Sequence, residues 1–169
     1  MKILLIRHGK TAGNLQKRYI GTTDESLCPA GIAELQMLHV PACEICISSP
    51  MQRCMQTAKL LFPAQEIIPC SAFRECNFGD FEGKCYAELN GNPQYQAWID
   101  SGGTLPFPNG ESPADFRRRC CTAFTAVTQT YANAESIAMI VHGGTIMSIL
   151  AQYGTYCSKT ASTSRAAAS

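Results

Sequence analysis

Two short apolar runs, each ended by a histidine and a glycine, constrain this chain more than any other feature. Lys2-Ile3-Leu4-Leu5-Ile6-Arg7 runs into His8-Gly9, and Ser136 to Val141 runs into His142-Gly143-Gly144. Runs so short, aliphatic and free of alternation read as parallel strands buried on both faces. Glu44–Ser48 and Gln65–Ile68 read as two further strands. Helical patterns separate them: Pro29 to about Leu38 with Ile32, Leu35 and Leu38 on one face, Ser49-Pro50 through Phe62, Glu111-Ser112 to about Tyr131, and Gly144 to Tyr153. Strands alternating with helices make an α/β chain with a parallel, helix-covered sheet and a site at the carboxyl ends of its strands. Arg7-His8, Ser48-Ser49 and His142 all fall on that edge.

The remaining segments are less regular. Gly9 to Asp24 is polar and glycine-punctuated, a loop with one helical turn. Phe73 to Pro108 is aromatic and rich in Gly and Pro, with one helix near Tyr86–Ile99, and reads as an insertion capping the sheet edge. Ser158–Ser169 contains only Ser, Lys, Thr, Ala and Arg and is expected to be disordered. The whole is expected to be one domain over residues 1–157, with the cap at about 76–108.

Composition removes several function classes. With 14 basic against 13 acidic residues, the net charge of +1 leaves no electrostatic footprint for nucleic acid or an anionic membrane. No apolar run approaches the ~20 residues needed to span a bilayer. Arg117-Arg118-Arg119 is the one basic cluster, and its spacing against Phe116, Cys120 and Phe124 reads as a solvated helix flank. Ten cysteines are scattered through apolar positions, and Cys43-Glu44-Ile45-Cys46 has no second pair to complete a zinc site. Without a signal peptide before the first strand, reduced thiols and a cytoplasmic protein are expected. His39 reads as a surface residue, and Tyr95 and Trp98 as packing of the cap.

The strand ends carry the chemistry. Arg7 and His8 are adjacent, so both can line one pocket only where the chain leaves the sheet, and Gly9 permits that turn. Arg53 falls on the first turn of a helix, whose free N–H groups suit an anion. Two guanidiniums favour phosphate, which they can bind in bidentate fashion, and they repel a dication, so no metal is expected. Neutral imidazole among phosphate-binding arginines can attack phosphorus and form a phosphohistidine. The second histidine would stabilise the phosphoryl oxygens. A proton donor for the leaving alkoxide must come from Glu75, Asp80 or Glu82, and the residues alone do not rank the three. Ser48 and Ser49 lack a nucleophile elbow, and helix capping accounts for Ser49.

Arg7-His8-Gly9, Ser48-Ser49-Pro50 with Arg53 and Thr57-Ala58, Glu75…Phe78-Gly79…Glu82-Gly83, Asn109-Gly110-Glu111-Ser112 and Val141-His142-Gly143-Gly144 together resemble the histidine phosphatase, or phosphoglycerate mutase-like, superfamily. The resemblance runs in order over residues 2–152, about nine-tenths of the chain. Any one motif is weak; five in order are highly specific. The resemblance implies a three-layer α/β/α fold with His8 as phosphoacceptor and Glu75 as proton donor. It implies Arg7, Arg53 and His142 as the phosphate pocket, with Asn14 and Gly143 among the substrate contacts and no cofactor. The compact chain resembles the phosphatase branch, and Glu82-Gly83-Lys84 with Gly102 to Pro108 look most like α-ribazole phosphatases, which act in cobalamin assembly.

Three departures stand out. Lys10 occupies a position where relatives carry Glu or Gln, Ile20 one where they carry a polar phosphate contact, and the Ser/Ala/Thr tail one where they continue into a strand closing the sheet. An open edge would invite a homodimer. The expected activity is metal-independent hydrolysis of a small phosphorylated metabolite. The alternatives are a catalytically idle phospholigand-binding protein and a mutase-type phosphotransferase.

Overall fold

The structure, a computed structural model, describes residues 1–154. The expected tail at 158–169 and the domain boundary at 157 lie outside the described residues. The elements run β1 (Lys2–Arg7), α1 (Ala12–Leu15), α2 (Pro29–Gln36), β2 (Ile45–Ser48), α3 (Gln52–Leu61), β3 (Ile67–Pro69), α4 (Tyr86–Leu89), α5 (Pro93–Asp100), α6 (Pro113–Thr130), β4 (Ser136–Val141) and α7 (Gly143–Tyr153). The four strands form one sheet in the order β1-β4-β2-β3, each pair parallel.

Both faces of the sheet are covered, which is why its strands lack polar alternation. Cys46, Ala138 and Ile140 pack with Cys54 and Ala58 of α3 on one side. Ile47, Ile137, Met139 and Val141 pack with Ala123 and Phe124 of α6 and Ile146 of α7 on the other. The result is a three-layer α/β/α arrangement in which successive residues of β4 face opposite layers. Cys43 and Cys46 sit inside the first layer as small hydrophobes, and burial pushes the Cys46 thiol up to about 12. No helix among the described residues is long and apolar enough to cross a membrane.

Several boundaries differ from those expected. The cap helix is two helices, because Gly91 takes φ +82° and Asn92 then caps α5 by accepting from the N–H groups of Gln94 and Tyr95. Helix α2 stops at Gln36, which leaves Leu38 beyond its end and 55% exposed. Strand β3 begins two residues later than its apolar pattern suggested. A third core cluster joins the segment before α6 to that helix: Phe81, Tyr95 and Phe107 pack on Phe116 and Cys120. Phe81 is fully buried, so truncating it to alanine should cost about 3–5 kcal/mol.

Candidate active site

The parallel register of β1 and β4 sets Arg7 opposite Val141. The next residue on each strand, His8 and His142, therefore leaves the sheet at the same level. The ladder holds one step further, with the His8 N–H donating to the Val141 carbonyl at 3.0 Å. The two rings meet edge to face, 5.1 Å between centroids. His8 Nδ1 lies 2.7 Å from the Gly9 carbonyl. A carbonyl can only accept, so Nδ1 carries the proton and Nε2 keeps its lone pair. Burial lowers the His8 pKa to about 4; the Gly9 bond opposes that shift, and the charges of Arg53 and Arg7 add to it. His142 is wholly buried, and burial, followed by the Arg53 charge, lowers its pKa to about 2. Both imidazoles are neutral at pH 7.

Two hydroxyls tie this pair to α3. The Gly9 N–H donates to Thr57 Oγ1 at 3.0 Å, and that hydroxyl donates to the Arg53 carbonyl at 2.7 Å. Ser49 Oγ lies 2.9 Å from His142 Nε2. Ser49 was expected to cap the helix, but the residue at the cap is Met51, with no side-chain cap bond. Met51 is extended and delays the helix by a residue beyond Pro50, and the Ser49 hydroxyl meets the histidine while accepting the Met51 N–H at a longer 3.5 Å. The helix start is not open to an anion either. Asp24 Oδ1 accepts the Gln52 N–H at 2.7 Å, so a carboxylate of the chain already occupies it.

Arg53 has no exposed surface. Its Nη1 donates to the Thr23 carbonyl at 2.7 Å, and its Nη2 to the carbonyls of Gly21 at 2.9 Å and Ile20 at 3.4 Å. The expected bidentate fork is thus largely spent on the 20–23 loop, while Nε is buried without a partner. A buried, unpaired guanidinium N–H is costly unless something accepts from it. Glu82 holds the other side of the same loop, its Oε1 accepting from Gly21 N–H at 2.8 Å and Thr23 N–H at 2.9 Å. Ile20 is buried, and its side chain fills the space a side chain at Gly13 would need.

Arg7, His8 and Asn14 line a cavity of about 470 Å³, with Lys10, Leu15 and Leu35 further along its wall. Asn14 Oδ1 accepts the Thr11 N–H at 3.2 Å, and Thr11 Oγ1 accepts the Asn14 N–H at 3.2 Å. That exchange leaves the Asn14 amide N–H groups unspent. Gly143 opens α7 under Arg7: a methyl there would sit 3.6 Å from Arg7 Nε. A larger groove of about 630 Å³, between α6 and the end of α7, is lined by none of these groups.

Glu75 comes from the loop before the cap. Its Oε1 accepts the Cys76 N–H at 3.0 Å, and a methyl at Gly144 would lie 2.9 Å from that oxygen. The bare first turn of α7 is what gives the carboxyl room. Burial raises its pKa; the Cys76 bond and the charges of Arg53 and Arg7 oppose the shift. The rival carboxylates have other partners. Asp80 accepts from Asn109 Nδ2 at 3.1 and 3.2 Å on the exposed side of the loop, and Glu82 is spent on the 20–23 loop.

Arg119 anchors the Glu75 loop and corrects the expectation of a solvated flank. Its Nη1 donates to the carbonyls of Ala72 at 2.7 Å and Arg74 at 2.9 Å, while its fork pairs with Glu111 at 2.8 and 3.0 Å. Only Arg117 and Arg118 face solvent. Helical spacing could have found Thr57, four residues after Arg53 and on the same face. Nothing in the spacing distinguishes Arg119 from its two neighbours. Among the described residues no cluster of three metal-ligating side chains is present.

Comparison with known proteins points to one family. The family model described as "Histidine phosphatase superfamily (branch 1)" matches residues 3–162. The adenosylcobalamin/alpha-ribazole phosphatase of Escherichia coli K12 is 27% identical over 161 residues, which cover 90% of this chain and 78% of that protein. The crystal structure of the alpha-ribazole phosphatase from Shigella flexneri superposes with a TM-score of 0.81 at 26% identity, covering 90% of this chain and 79% of the other. That of the phosphoserine phosphatase from Entamoeba histolytica, in complex with 3-phosphoglyceric acid, does so with a TM-score of 0.76 at 29% identity, covering 88% and 77%.

Proposed function

The chain belongs to the histidine phosphatase superfamily (branch 1), and from that membership we propose that it hydrolyses a small phosphate monoester in two steps through His8. One observation carries the reading: the Gly9 carbonyl, 2.7 Å from Nδ1, leaves the lone pair of a neutral imidazole on Nε2, beside a second histidine and two arginines. In the first step His8 Nε2 attacks phosphorus while the bond from phosphorus to the ester oxygen breaks. Glu75, whose pKa burial raises, gives its proton to that oxygen, and the alcohol leaves. In the second step the Glu75 carboxylate takes a proton from water as the water oxygen attacks phosphohistidine. The P–N bond breaks, orthophosphate departs and Glu75 is again protonated.

The other groups hold charge. Arg53 offers its unspent Nε–H to a phosphoryl oxygen, and Arg7 and Asn14 offer donors from the cavity wall. His142, neutral and held 2.9 Å from Ser49 Oγ, stands edge to face with His8 to stabilise the phosphoryl oxygens. Likeness to the alpha-ribazole phosphatases is reason to include α-ribazole 5′-phosphate in the first substrate panel. The nine cysteines of the described residues are free thiols, in keeping with a reduced, cytoplasmic setting.

The test is hydrolysis of an aryl phosphate in the presence of a chelator, by the wild-type chain and by His8→Ala. Activity is expected to survive the chelator and vanish in the variant. Chelator-sensitive activity, or full activity in His8→Ala, would overturn the mechanism.

A further inference from the structure

The two imidazoles are bonded through opposite nitrogens, to groups of different kinds. His8 spends Nδ1 on the Gly9 carbonyl, which can only accept, so the lone pair of Nε2 is left over. His142 spends Nε2 on Ser49 Oγ at 2.9 Å, and a hydroxyl can donate as well as accept. Burial keeps His142 neutral at pH 7, so only one of its nitrogens carries a proton. Which one depends on the direction of the Ser49 bond.

The surroundings of Ser49 decide that direction. Ser49, Cys54 and His142 have no exposed surface, so their polar hydrogens need acceptors inside the protein. Ser49 Oγ already receives the Met51 N–H at 3.5 Å. The neighbouring hydroxyl is turned elsewhere, with Ser48 Oγ donating to the Ser49 carbonyl at 2.9 Å. Among the described residues no carbonyl or carboxylate accepts from Ser49 Oγ. Its hydrogen therefore has two candidate acceptors, a lone pair on His142 Nε2 and the sulfur of Cys54. Burial pushes the Cys54 thiol up to about 12, so it is an intact S–H and a weak acceptor. The sulfur stands 3.6 Å from Nε2 and 3.9 Å from Nδ1, facing the carbon between them and favouring a proton on neither. The imidazole lone pair is the stronger acceptor. The reverse bond, from Nε2–H to Oγ, would leave the buried Ser49 hydrogen with nothing but sulfur.

We propose that Ser49 is a positioning residue: its hydroxyl donates to His142 Nε2 and holds the ring proton on Nδ1, so that His142 meets the phosphoryl group as a donor while His8 meets it as a nucleophile. The effect on turnover rests on the phosphatase reading, but the position of the proton can be read without turnover. Proton–nitrogen correlation spectra of the wild-type chain at pH 7 should show His142 with a protonated Nδ1 and a bare Nε2. A protonated Nε2 in the wild type would overturn the proposal. In Ser49→Ala neither nitrogen is tied, and part of the population should shift its proton to Nε2. In Ser49→Thr, which keeps the hydroxyl, the proton should stay on Nδ1. Turnover should follow: kcat should fall about 10-fold in Ser49→Ala, less than for the loss of a whole transition-state donor, equally on aryl and alkyl phosphates and with little change in KM. Ser49→Thr should restore most of it. An unmoved proton in Ser49→Ala, or one that moves in Cys54→Ala instead, would sink the idea. Absence of hydrolysis by the wild type would refute the phosphatase reading alone, since the spectra still decide which nitrogen Ser49 serves.

Discussion

The two halves of the site are held by different kinds of force. His8, His142 and Ser49 stand at the ends of adjacent strands, and backbone bonds set their level: His8 N–H to Val141 and Ser49 N–H to Ile140, at 3.0 and 2.9 Å. Glu75 stands on a loop, and side chains from distant elements position it: Arg119 through two carbonyls, and Gly144 by having no side chain. A strand register can shift only by a whole residue, which would turn every apolar side chain to the wrong layer. A loop held by one guanidinium can shift by fractions of an ångström. In the proposed reading the phosphate end is held by strand register, and the leaving-group end by a loop open to adjustment.

Arg53→Ala should have the largest effect. It removes a charge felt by His8, His142 and Glu75 together, and releases the 20–23 loop, so kcat should fall about 10³-fold for every substrate. A loss confined to one substrate class would break the claim that the sheet end serves phosphate alone.

The loop half should respond selectively. Glu75→Gln is expected to cost about 10²-fold on alkyl phosphates, which need a protonated leaving group, and far less on aryl ones. Arg119→Ala should show the same alkyl-over-aryl pattern at about 10-fold, since a displaced acid is weakened rather than removed. Parallel losses on both substrate types in a folded Arg119→Ala would sink its role as a positioning residue for Glu75.

The pH response is the mildest at neutral pH and the sharpest test of the histidine half. With its folded pKa lowered from 6.5 to about 4, His8 binds fewer protons folded than unfolded between those values. Its contribution to stability is thus complete above pH 6.5 and is lost as pH falls towards 4, by on the order of 3 kcal/mol. His142, lowered to about 2, extends the loss further into acid. Imidazole titration by NMR should place the His8 midpoint near 4, and urea midpoints should fall from pH 7 to pH 4. A His8 midpoint near 6.5 would mean a hydrated ring and a different nucleophile state.

What could be read before the structure divides along the same line. The aliphatic runs ending in His8 and His142 announced parallel strands and a shared edge, because burial on both faces demands unbroken apolar sequence. Thr57 was legible only in the motif it shares with Arg53 and Ala58, through resemblance. Ser49 was misread because the same hydroxyl can cap a helix or bond a histidine, and only the position of β4 beside β2 decides between them. Arg119 was misread because three consecutive arginines look alike until one of them meets the carbonyls of Ala72 and Arg74.

The sequence by itself determined the strands, the layers that cover them, and the two imidazoles with their arginines, since local pattern and period carry that information. It also named Glu75, through resemblance. Tertiary structure alone decided how Arg53 spends its donors, which carboxylate is buried against the first turn of α7, and which arginine of 117–119 is anchored. Those outcomes depend on groups far apart in the chain, where a hydrogen bond is chosen by proximity after folding and leaves no period in the sequence.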